Sequence, residues 1–317
     1  MVRKRDMDWI TYKGSGGPGS GKSIVFVSGD EEYRSEEGLP MLAKILSQNH
    51  GFNCTVLFSI NDETGEIDPE TVDNIPGLRS LKDADLMVML LRFRELPDEQ
   101  MAHIIDFIDA GKPVIALRTS THAFKYLKDT ESPFAKYDCE NKDPSFLGGF
   151  GRQILGEAWV GHHGEHGVEG TRGLIDSQLA NHPVLKGVSD IWAPTDVYAV
   201  GELQGNSSVL VWGQVISSLE PSDKPNSSKT VMPVAWLNEY PAGEKSASTV
   251  LATTMGASVD LVNEGLRRLL INGCYWLTGL ENEIEIESNA TIVGEYQPTF
   301  YGFGTHTRGV YPSDHSL

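Results

Sequence analysis

The sequence predicts an α/β protein built on a parallel-rich β-sheet with helices on both faces. Its first half alternates short apolar segments with longer amphipathic ones, an order typical of strand–helix–strand units. The segment Leu86–Leu91 is apolar at every position, as expected for a strand covered on both faces. The chain has 317 residues, no internal repeat and no linker-like segment between its halves, which predicts a single domain.

The first strand and the first helix flank a strongly acidic loop. Ile24–Ser28 is β-branched and aromatic, which favours a buried strand. Ser35–Asn49 follows, with large aliphatic residues recurring every three or four positions, the period of an amphipathic helix. Ser35 is a suitable N-cap and Gly51 a suitable stop. In open α/β sheets, the loop between such elements is where ligands bind.

The same two periodicities predict the remaining elements. In the first half, the strands are Cys54–Phe58, Leu86–Leu91 and Pro113–Leu117, and the helices are Asp98–Ala110 and Thr121–Leu127. In the second half, the strands are Thr171–Ile175, Asp196–Val200, Val209–Trp212, Val231–Trp236 and Thr249–Thr254, followed by a helix over Leu261–Leu277. We therefore divide the chain into a flexible N-terminal segment (1–22), an α/β domain (23–280) and an extended C-terminal tail packed on that domain (281–317).

The net charge and the hydrophobicity of the sequence indicate which kinds of partner the protein can bind. The net charge of −18 disfavours binding to nucleic acids and to anionic membranes, because both require basic surfaces. No apolar run reaches the length of about 18 residues that a bilayer span needs, so no membrane insertion is expected. Residues 1–8 lack the apolar core of a secretory signal, which leaves a soluble protein in the cytoplasm, or one exported and trimmed. A homo-oligomeric state is left open.

A phosphate-loop motif near the N-terminus is predicted to be non-functional. Gly16–Ser23 fits the pattern G-x-x-x-x-G-K-[ST] at every position. A working phosphate loop, however, needs a strand before it and a helix after it, because the helix N-terminus binds the phosphate. The residues that follow, Ile24–Val27, favour a strand instead. We therefore expect a flexible linker here and no bound nucleotide.

Polar clusters follow the predicted strands directly. Asp30, Glu31, Glu32 and Arg34 follow the first strand, Arg94 follows Leu86–Leu91, and Arg118, Thr119 and His122 follow Pro113–Leu117. Because parallel strands direct their carboxyl ends to one edge of a sheet, these side chains are expected to share a cleft. The sharp turn at Arg118 is of the kind that presents a side chain beside helix N–H groups. Alternatively, Thr119 and Thr121 only cap a helix.

A third cluster, the His-rich segment Gly161–Gly167, contains His162, His163 and His166. Its glycines disfavour a regular helix. Three roles remain open for the imidazoles: metal-free acid–base or substrate contacts, a divalent metal site completed by a distant ligand, or a structural role. Asp196 and His182 are the candidates for the distant ligand. Asp196 and Tyr198 are also predicted to lie on one face of a strand.

Several short motifs occur together between Ile24 and Gly279, namely Ser28–Arg34, Leu96–Gln100, Gly111–Ala123, His182–Val184, Asp196–Tyr198, Pro233–Trp236 and Thr253–Gly256. Through them the chain resembles the ThuA-like (trehalose-utilisation) proteins. This resemblance implies the flavodoxin-like fold of class I glutamine amidotransferases and a role in sugar metabolism. Amidotransferases carry a cysteine nucleophile where this chain has Arg118-Thr119-Ser120, so thiolate chemistry on glutamine is not expected.

We therefore expect a sugar-processing enzyme, an isomerase or a hydrolase or lyase acting on a keto-sugar or glycoside. His163 or His166 would supply the acid–base group, with His122 as a further candidate. The candidate substrate-binding residues are Asp30, Glu31, Glu32, Arg34, Arg94, Arg118, Thr119, His162, Asp196 and Tyr198. The alternatives are a non-catalytic carbohydrate-binding protein that uses the same cleft, and a divergent glutamine amidotransferase.

Overall fold

A computed structural model describes residues 7–243 and 245–317 of the chain. Its largest element is a mixed sheet of ten strands in the order β1-β3-β2-β4-β5-β12-β11-β10-β7-β8. The sheet strands are β1 (Trp9–Tyr12), β2 (Ser23–Gly29), β3 (Asn53–Leu57), β4 (Leu86–Leu91), β5 (Val114–Leu117), β7 (Gly170–Ile175), β8 (Trp192–Ala193), β10 (Ser208–Ile216), β11 (Met232–Ala242) and β12 (Lys245–Thr253). A two-stranded ribbon adds β6 (Trp159–His162) and β9 (Tyr198–Val200).

The sheet is parallel in its centre and antiparallel in the rest. Strands β3, β2, β4, β5 and β12 pair in parallel. Strands β12, β11, β10, β7 and β8 continue the sheet in antiparallel pairs, and β1 pairs antiparallel with β3 at the opposite edge. The predicted α/β class is confirmed, but the sheet is mixed rather than predominantly parallel.

Helices cover both faces of the sheet. Alternate residues of β2 enter different cores: Phe26 lies in a cluster with α1 (Ser35–His50) and α3 (Glu264–Leu277), whereas Val27 lies in a second cluster with α2 (Asp98–Asp109). This alternation follows from the two-residue period of a strand. All six residues of β4 are buried, as predicted for a strand enclosed on both sides.

The helix predicted over Thr121–Leu127 is absent, and a short 3₁₀ turn, Arg118–His122, stands in its place. The chain then runs beside the segment that follows β4, where the Arg94 N–H donates to the Ala123 carbonyl and the Lys125 N–H to the Arg94 carbonyl. These bonds satisfy the backbone without a helix. The prediction failed because local spacing cannot reveal a partner from another segment.

The N-terminal region also differs from expectation. Trp9–Tyr12 forms the edge strand β1, which the interpretation of residues 1–22 as a flexible segment did not include. The Gly-rich segment packs on the end of α1, where the Gly19 N–H donates to the His50 carbonyl at 2.8 Å. Strand β2 begins at Ser23, so a strand follows the phosphate-loop motif, as predicted.

The second half of the chain carries two further features that bear on the site. Ribbon strands β6 and β9 pair His162 opposite Tyr198. The C-terminal tail (281–317) runs across the domain, where the Ile67 N–H donates to the Val310 carbonyl and the Tyr12 hydroxyl to the His315 carbonyl. Within the described ranges, we find no helix with both the length and the apolarity of a membrane span.

Candidate functional site

Three non-glycine residues with left-handed backbone mark the carboxyl edge of the parallel strands. They are Arg34 after β2, Phe93 after β4 and Arg118 after β5, with φ angles of 59°, 50° and 44°. Such conformations cost roughly 1–3 kcal/mol each and persist where the surrounding structure enforces them, often at functional sites. Their convergence identifies this edge as the candidate site.

Arg118 and Asp196 form the buried centre of this edge, with 0% and 1% of their surface exposed. Arg118 donates through Nη2 to Asp196 Oδ1 at 2.8 Å and through Nη1 to the Asp196 and Thr254 carbonyls at 2.8 and 2.7 Å. Its Cζ lies 4.5 Å from the ring centroid of Tyr33 and 3.7 Å from that of Tyr198. The guanidinium therefore holds Asp196 in place and Tyr198 stacks on the guanidinium, so neither Arg118 nor Tyr198 is free for the substrate contact predicted for it.

Two imidazoles hydrogen-bond to the same carboxylate. His162 Nδ1 lies 2.8 Å from Asp196 Oδ2, and His166 Nδ1 lies 3.1 Å from Asp196 Oδ1. Burial opposes ionisation of Asp196, but the charge of Arg118 and the two imidazole bonds hold the pKa of this carboxyl well below its usual range. Because an ionised carboxylate only accepts hydrogen bonds, each imidazole carries a proton on Nδ1.

Glu32 completes the cluster from the loop after β2. Its Oε1 lies 3.3 Å from His166 Nε2, and its Oε2 lies 3.4 Å from Arg92 Nε. Burial and the neighbouring Asp30 raise the pKa of Glu32, an effect that Arg92 and His166 oppose. The 3.3 Å separation of His166 Nε2 and Glu32 Oε1 is short enough for a proton to pass between these two atoms. Glu32 and His166 thus form a pair suited to proton transfer.

His163 does not join this cluster, contrary to its predicted catalytic role. Its Nε2 lies 2.8 Å from the carbonyl oxygen of Thr230. The two histidines are adjacent at the end of β6, and successive side chains of extended backbone point to opposite sides. Of these two adjacent histidines, only His162 therefore reaches Asp196.

His122 lies behind the cluster in an aromatic environment. Its ring centroid is 5.1 Å from that of Phe93, 5.0 Å from that of Trp159 and 6.1 Å from that of Tyr198. Burial, together with the charges of Arg92 and other nearby cations, lowers the pKa of His122 well below its usual range. The predicted catalytic role does not fit a buried, neutral imidazole.

Asp30 and Thr119 stabilise the loops rather than face a ligand. Asp30 Oδ1 accepts from the backbone N–H groups of Glu32 and Tyr33 at 2.7 and 2.5 Å, and Oδ2 accepts from the Thr119 hydroxyl. Both residues are fully buried. Their predicted substrate contacts are replaced by bonds that join the loops after β2 and β5.

Glu31 and Arg94 are likewise committed to internal bonds. Arg94 Nη2 donates to Glu31 Oε2 at 2.6 Å, and its Nη1 donates to the carbonyl oxygens of Pro69 and Thr71 at 2.8 and 3.1 Å. Arg92 binds the other Glu31 oxygen. Because Arg94 is fully buried and its bonds are internal, it supports the loop and is not available for the substrate contact predicted for it.

Arg34 contacts the C-terminal tail instead of a substrate. Its guanidinium donates to Thr299 Oγ1 at 3.1 Å, to the Gly302 carbonyl at 2.7 Å and to Thr305 Oγ1. The tail also brings Tyr301 to the site, with its ring centroid 5.2 Å from that of His166. Sequence reasoning missed Tyr301, and the aromatic composition of the tail was the only available signal.

The cluster also has a donor set that fits a divalent metal. One ligand atom each from His162, His166 and Asp196 lies within 4.8 Å of the others. Two imidazoles and a carboxylate suit zinc and other first-row transition metals, which would supply Lewis acidity. Arg118 opposes such an ion, because its positive charge lies beside the same carboxylate.

The turn after β5, Arg118–His122, contains no cysteine. Arg118 occupies its left-handed first position. Burial raises the pKa of all three thiols, that of Cys139 to about 12 and those of Cys54 and Cys274 further. Thiols of this kind are poor nucleophiles.

Comparison with known proteins supports the architecture. The ThuA-like protein from Bacteroides uniformis ATCC 8492 aligns with a TM-score of 0.50 at 14% identity, over 84% of this chain and 95% of its own. A second ThuA-like protein, from Parabacteroides merdae ATCC 43184, gives 0.46 at 12% identity, over 93% and 99%. No protein-family profile matches the sequence, and no curated protein is significantly similar to it. The resemblance to ThuA-like proteins is thus confirmed for the fold, and the identities are too low to show an activity.

Proposed function

We propose that this protein is an enzyme that transfers protons on a sugar, with a keto-sugar isomerase as the reaction class. The observation that carries the proposal is the pair of imidazoles on one buried carboxylate. Within the described part of the chain, His162 Nε2 has no hydrogen-bond partner, and its side chain is 39% exposed. A carboxylate that accepts from Nδ1–H holds the opposite nitrogen as a base, as in catalytic triads.

The second imidazole supplies the complementary acid. His162 Nε2 would remove the proton from the carbon beside the carbonyl group, while the proton shared by His166 and Glu32 passes to the carbonyl oxygen. The product of this step is an enediol. His162 then gives its proton to the former carbonyl carbon, and the His166–Glu32 pair takes the proton of the other enediol hydroxyl, which gives the isomeric sugar and restores both groups. The raised pKa of Glu32 suits a carboxyl that must hold a proton before donating it.

The chain offers a matched control for this role. His162→Ala and His166→Ala are each expected to lower kcat by about 10²–10⁴-fold, the usual contribution of a general acid or base. His163→Ala removes a neighbouring imidazole that binds Thr230 and should leave kcat within about twofold. The measurement is isomer formation from a panel of aldoses and ketoses. Equal rates in wild type and His162→Ala would contradict the proposal.

Two alternatives use the same cleft. A carbohydrate-binding protein without catalysis would bind members of the sugar panel and form no product. A divergent glutamine amidotransferase would release ammonia from glutamine and react with glutamine-analogue electrophiles. The Arg118 turn and the buried thiols disfavour this second alternative. We also propose that the fold is related to the flavodoxin-like fold of amidotransferases. The support is the left-handed turn at Arg118, which directly follows a parallel strand.

A further inference from the structure

The C-terminal tail packs beside the proposed catalytic residues and is held there by hydrogen bonds. Thr299 donates through its backbone N–H and its hydroxyl to the carboxylate of Glu37, at 2.8 and 2.6 Å. The Gly302 N–H donates to the Glu32 carbonyl at 2.8 Å. With the bonds from Arg34, these contacts hold both ends and the middle of the segment Thr299–Thr305.

Tyr301 packs inward from this segment. Only 7% of its surface is exposed, and its ring centroid lies 5.3 Å from that of Tyr33. Its hydroxyl donates to the Pro194 carbonyl at 3.3 Å. The two flanking phenylalanines, by contrast, face solvent: Phe300 is 48% exposed and Phe303 is 56% exposed. The tail segment therefore buries Tyr301 and exposes the rings of Phe300 and Phe303 at the surface.

The two phenylalanines have different surroundings. Phe300 stacks on Tyr301 with a centroid distance of 4.2 Å. Phe303 lies over Arg92, whose Cζ is 4.9 Å from its centroid and 4.4 Å from that of Phe93. Arg92 in turn pairs with Glu32, which lies beside His166. Phe303 is thus connected through Arg92 to Glu32 and His166, and more than half of its surface is exposed.

We infer that Phe303 is a substrate-binding residue that stacks on the apolar face of a sugar ring, an inference that rests on the proposed function. Ligand sites combine aromatic walls with a few well-placed polar groups, and Glu32, Arg92 and the imidazoles provide those groups here. A sugar needs both kinds of contact, because its hydroxyls project from the ring edge while its axial C–H groups form an apolar face. The position of Phe303 makes it a determinant of specificity and not a catalytic residue.

Equilibrium binding tests this role without relying on turnover. The probes are the reducing sugars D-glucose, D-fructose and D-xylose, measured by calorimetry on the full chain. An aromatic stacking contact contributes about 0.5–1.5 kcal/mol, so Phe303→Ala should weaken Kd by about 2- to 12-fold. Phe303→Trp should retain the affinity, because it keeps an aromatic face. Phe300→Ala, the matched control, should change Kd by less than twofold.

The outcomes separate this inference from the proposed function. Unchanged affinity in Phe303→Ala, or failure of all three probes to bind wild type, would overturn it. A drop in unfolding midpoint with unchanged Kd would also overturn it, since Phe303 would then only cover the Arg92 ion pair. If His162→Ala keeps full turnover while Phe303→Ala still weakens binding, the proton-transfer mechanism fails and the stacking site stands.

Discussion

At the scale of single residues, the site depends on Arg118 keeping Asp196 ionised and fixed. The guanidinium is fully buried, bonds to one carboxylate oxygen and two carbonyls, and stacks on two tyrosine rings. Such planar, multidentate contacts are specific to arginine, because a lysine ammonium is a compact point charge. The left-handed backbone of Arg118 is the local cost of this arrangement.

Arg118→Lys is therefore expected to destabilise the fold despite preserving the charge. It removes bonds to a buried carboxylate and to two buried carbonyls, which predicts a loss of about 2–4 kcal/mol in the free energy of unfolding. Urea denaturation measures this value. Arg79→Lys, at an exposed position, is the control and should fall within about 0.5 kcal/mol of wild type. Equal stabilities for the two variants would show that the bonds of Arg118 to Asp196 and to the two carbonyls do not stabilise the fold.

His122 is expected to make the free energy of unfolding depend on pH. The folded protein disfavours the charged form of His122 and so lowers its pKa. The contribution of the neutral imidazole to stability is complete above the ordinary pKa of about 6.5 and is lost as the pH falls below that value. His122→Phe should reduce the slope of unfolding free energy between pH 6.5 and 5 by up to about 1.4 kcal/mol per pH unit. Denaturation at several pH values measures the slope. A slope identical to that of wild type would show that His122 is charged when folded.

Sequence reasoning named most of the side chains that cluster here but not the partners of the others. Glu32, His162, His166 and Asp196 converge as expected from strand ends and an imidazole-rich segment. The roles of Asp30, Arg34 and Arg94 could not be predicted, because their partners are backbone groups or tail residues distant in sequence. A charged side chain in a loop looks the same in sequence whether it faces a ligand or a carbonyl.

At the scale of elements, the parallel strands were predictable and the antiparallel ones were less so. The six residues of β4 are buried on both faces and read as one apolar run. Strands β1, β6 and β8 are two to four residues long and only partly buried, so they carry no clear period. Their pairing comes from neighbours in the sheet, and local propensity does not contain that information.

The N-terminal Gly-rich segment offers a test at this scale. Gly51 ends α1 with φ 83°, and an added Cβ would lie 2.6 Å from the Gly16 backbone. Gly21 has a similar φ of 87°, and a Cβ there would meet nothing within 4 Å. Gly21→Ala should cost only the left-handed backbone penalty of about 1–2 kcal/mol.

Gly51→Ala adds a clash with backbone to the same penalty and should be less stable than Gly21→Ala by about 1 kcal/mol or more. Urea denaturation of the two variants measures this difference. Equal losses would show that the Gly-rich segment does not pack on α1.

At the scale of the whole molecule, the tail and the domain form one unit around the site. Arg34 comes from the loop after β2 and binds three residues of the tail. Arg34→Met preserves the length of the side chain but removes these bonds. The tail should then open more often, and chymotryptic cleavage near Phe300 and Phe303 should rise by about 5- to 30-fold, the factor expected for 1–2 kcal/mol.

Arg308→Met is the control for this experiment, because Arg308 is exposed in the same tail. Its cleavage rate should match that of wild type. Resistance of Arg34→Met to chymotrypsin would mean that the packing of Tyr301 alone retains the tail. The position of the tail at the site could not be predicted from the sequence, because Arg34 and Tyr301 lie near opposite ends of the chain.

The nitrogen that carries the proton in each of the three imidazoles can be measured by ¹H–¹⁵N NMR of the histidine side chains. We expect protonated Nδ1 in His162 and His166, with both signals perturbed in Asp196→Asn, and protonated Nε2 in His163, unaffected by that change. If His162 and His166 instead carry their proton on Nε2 alone and do not respond to Asp196→Asn, the shared carboxylate, and the mechanism built on it, is wrong.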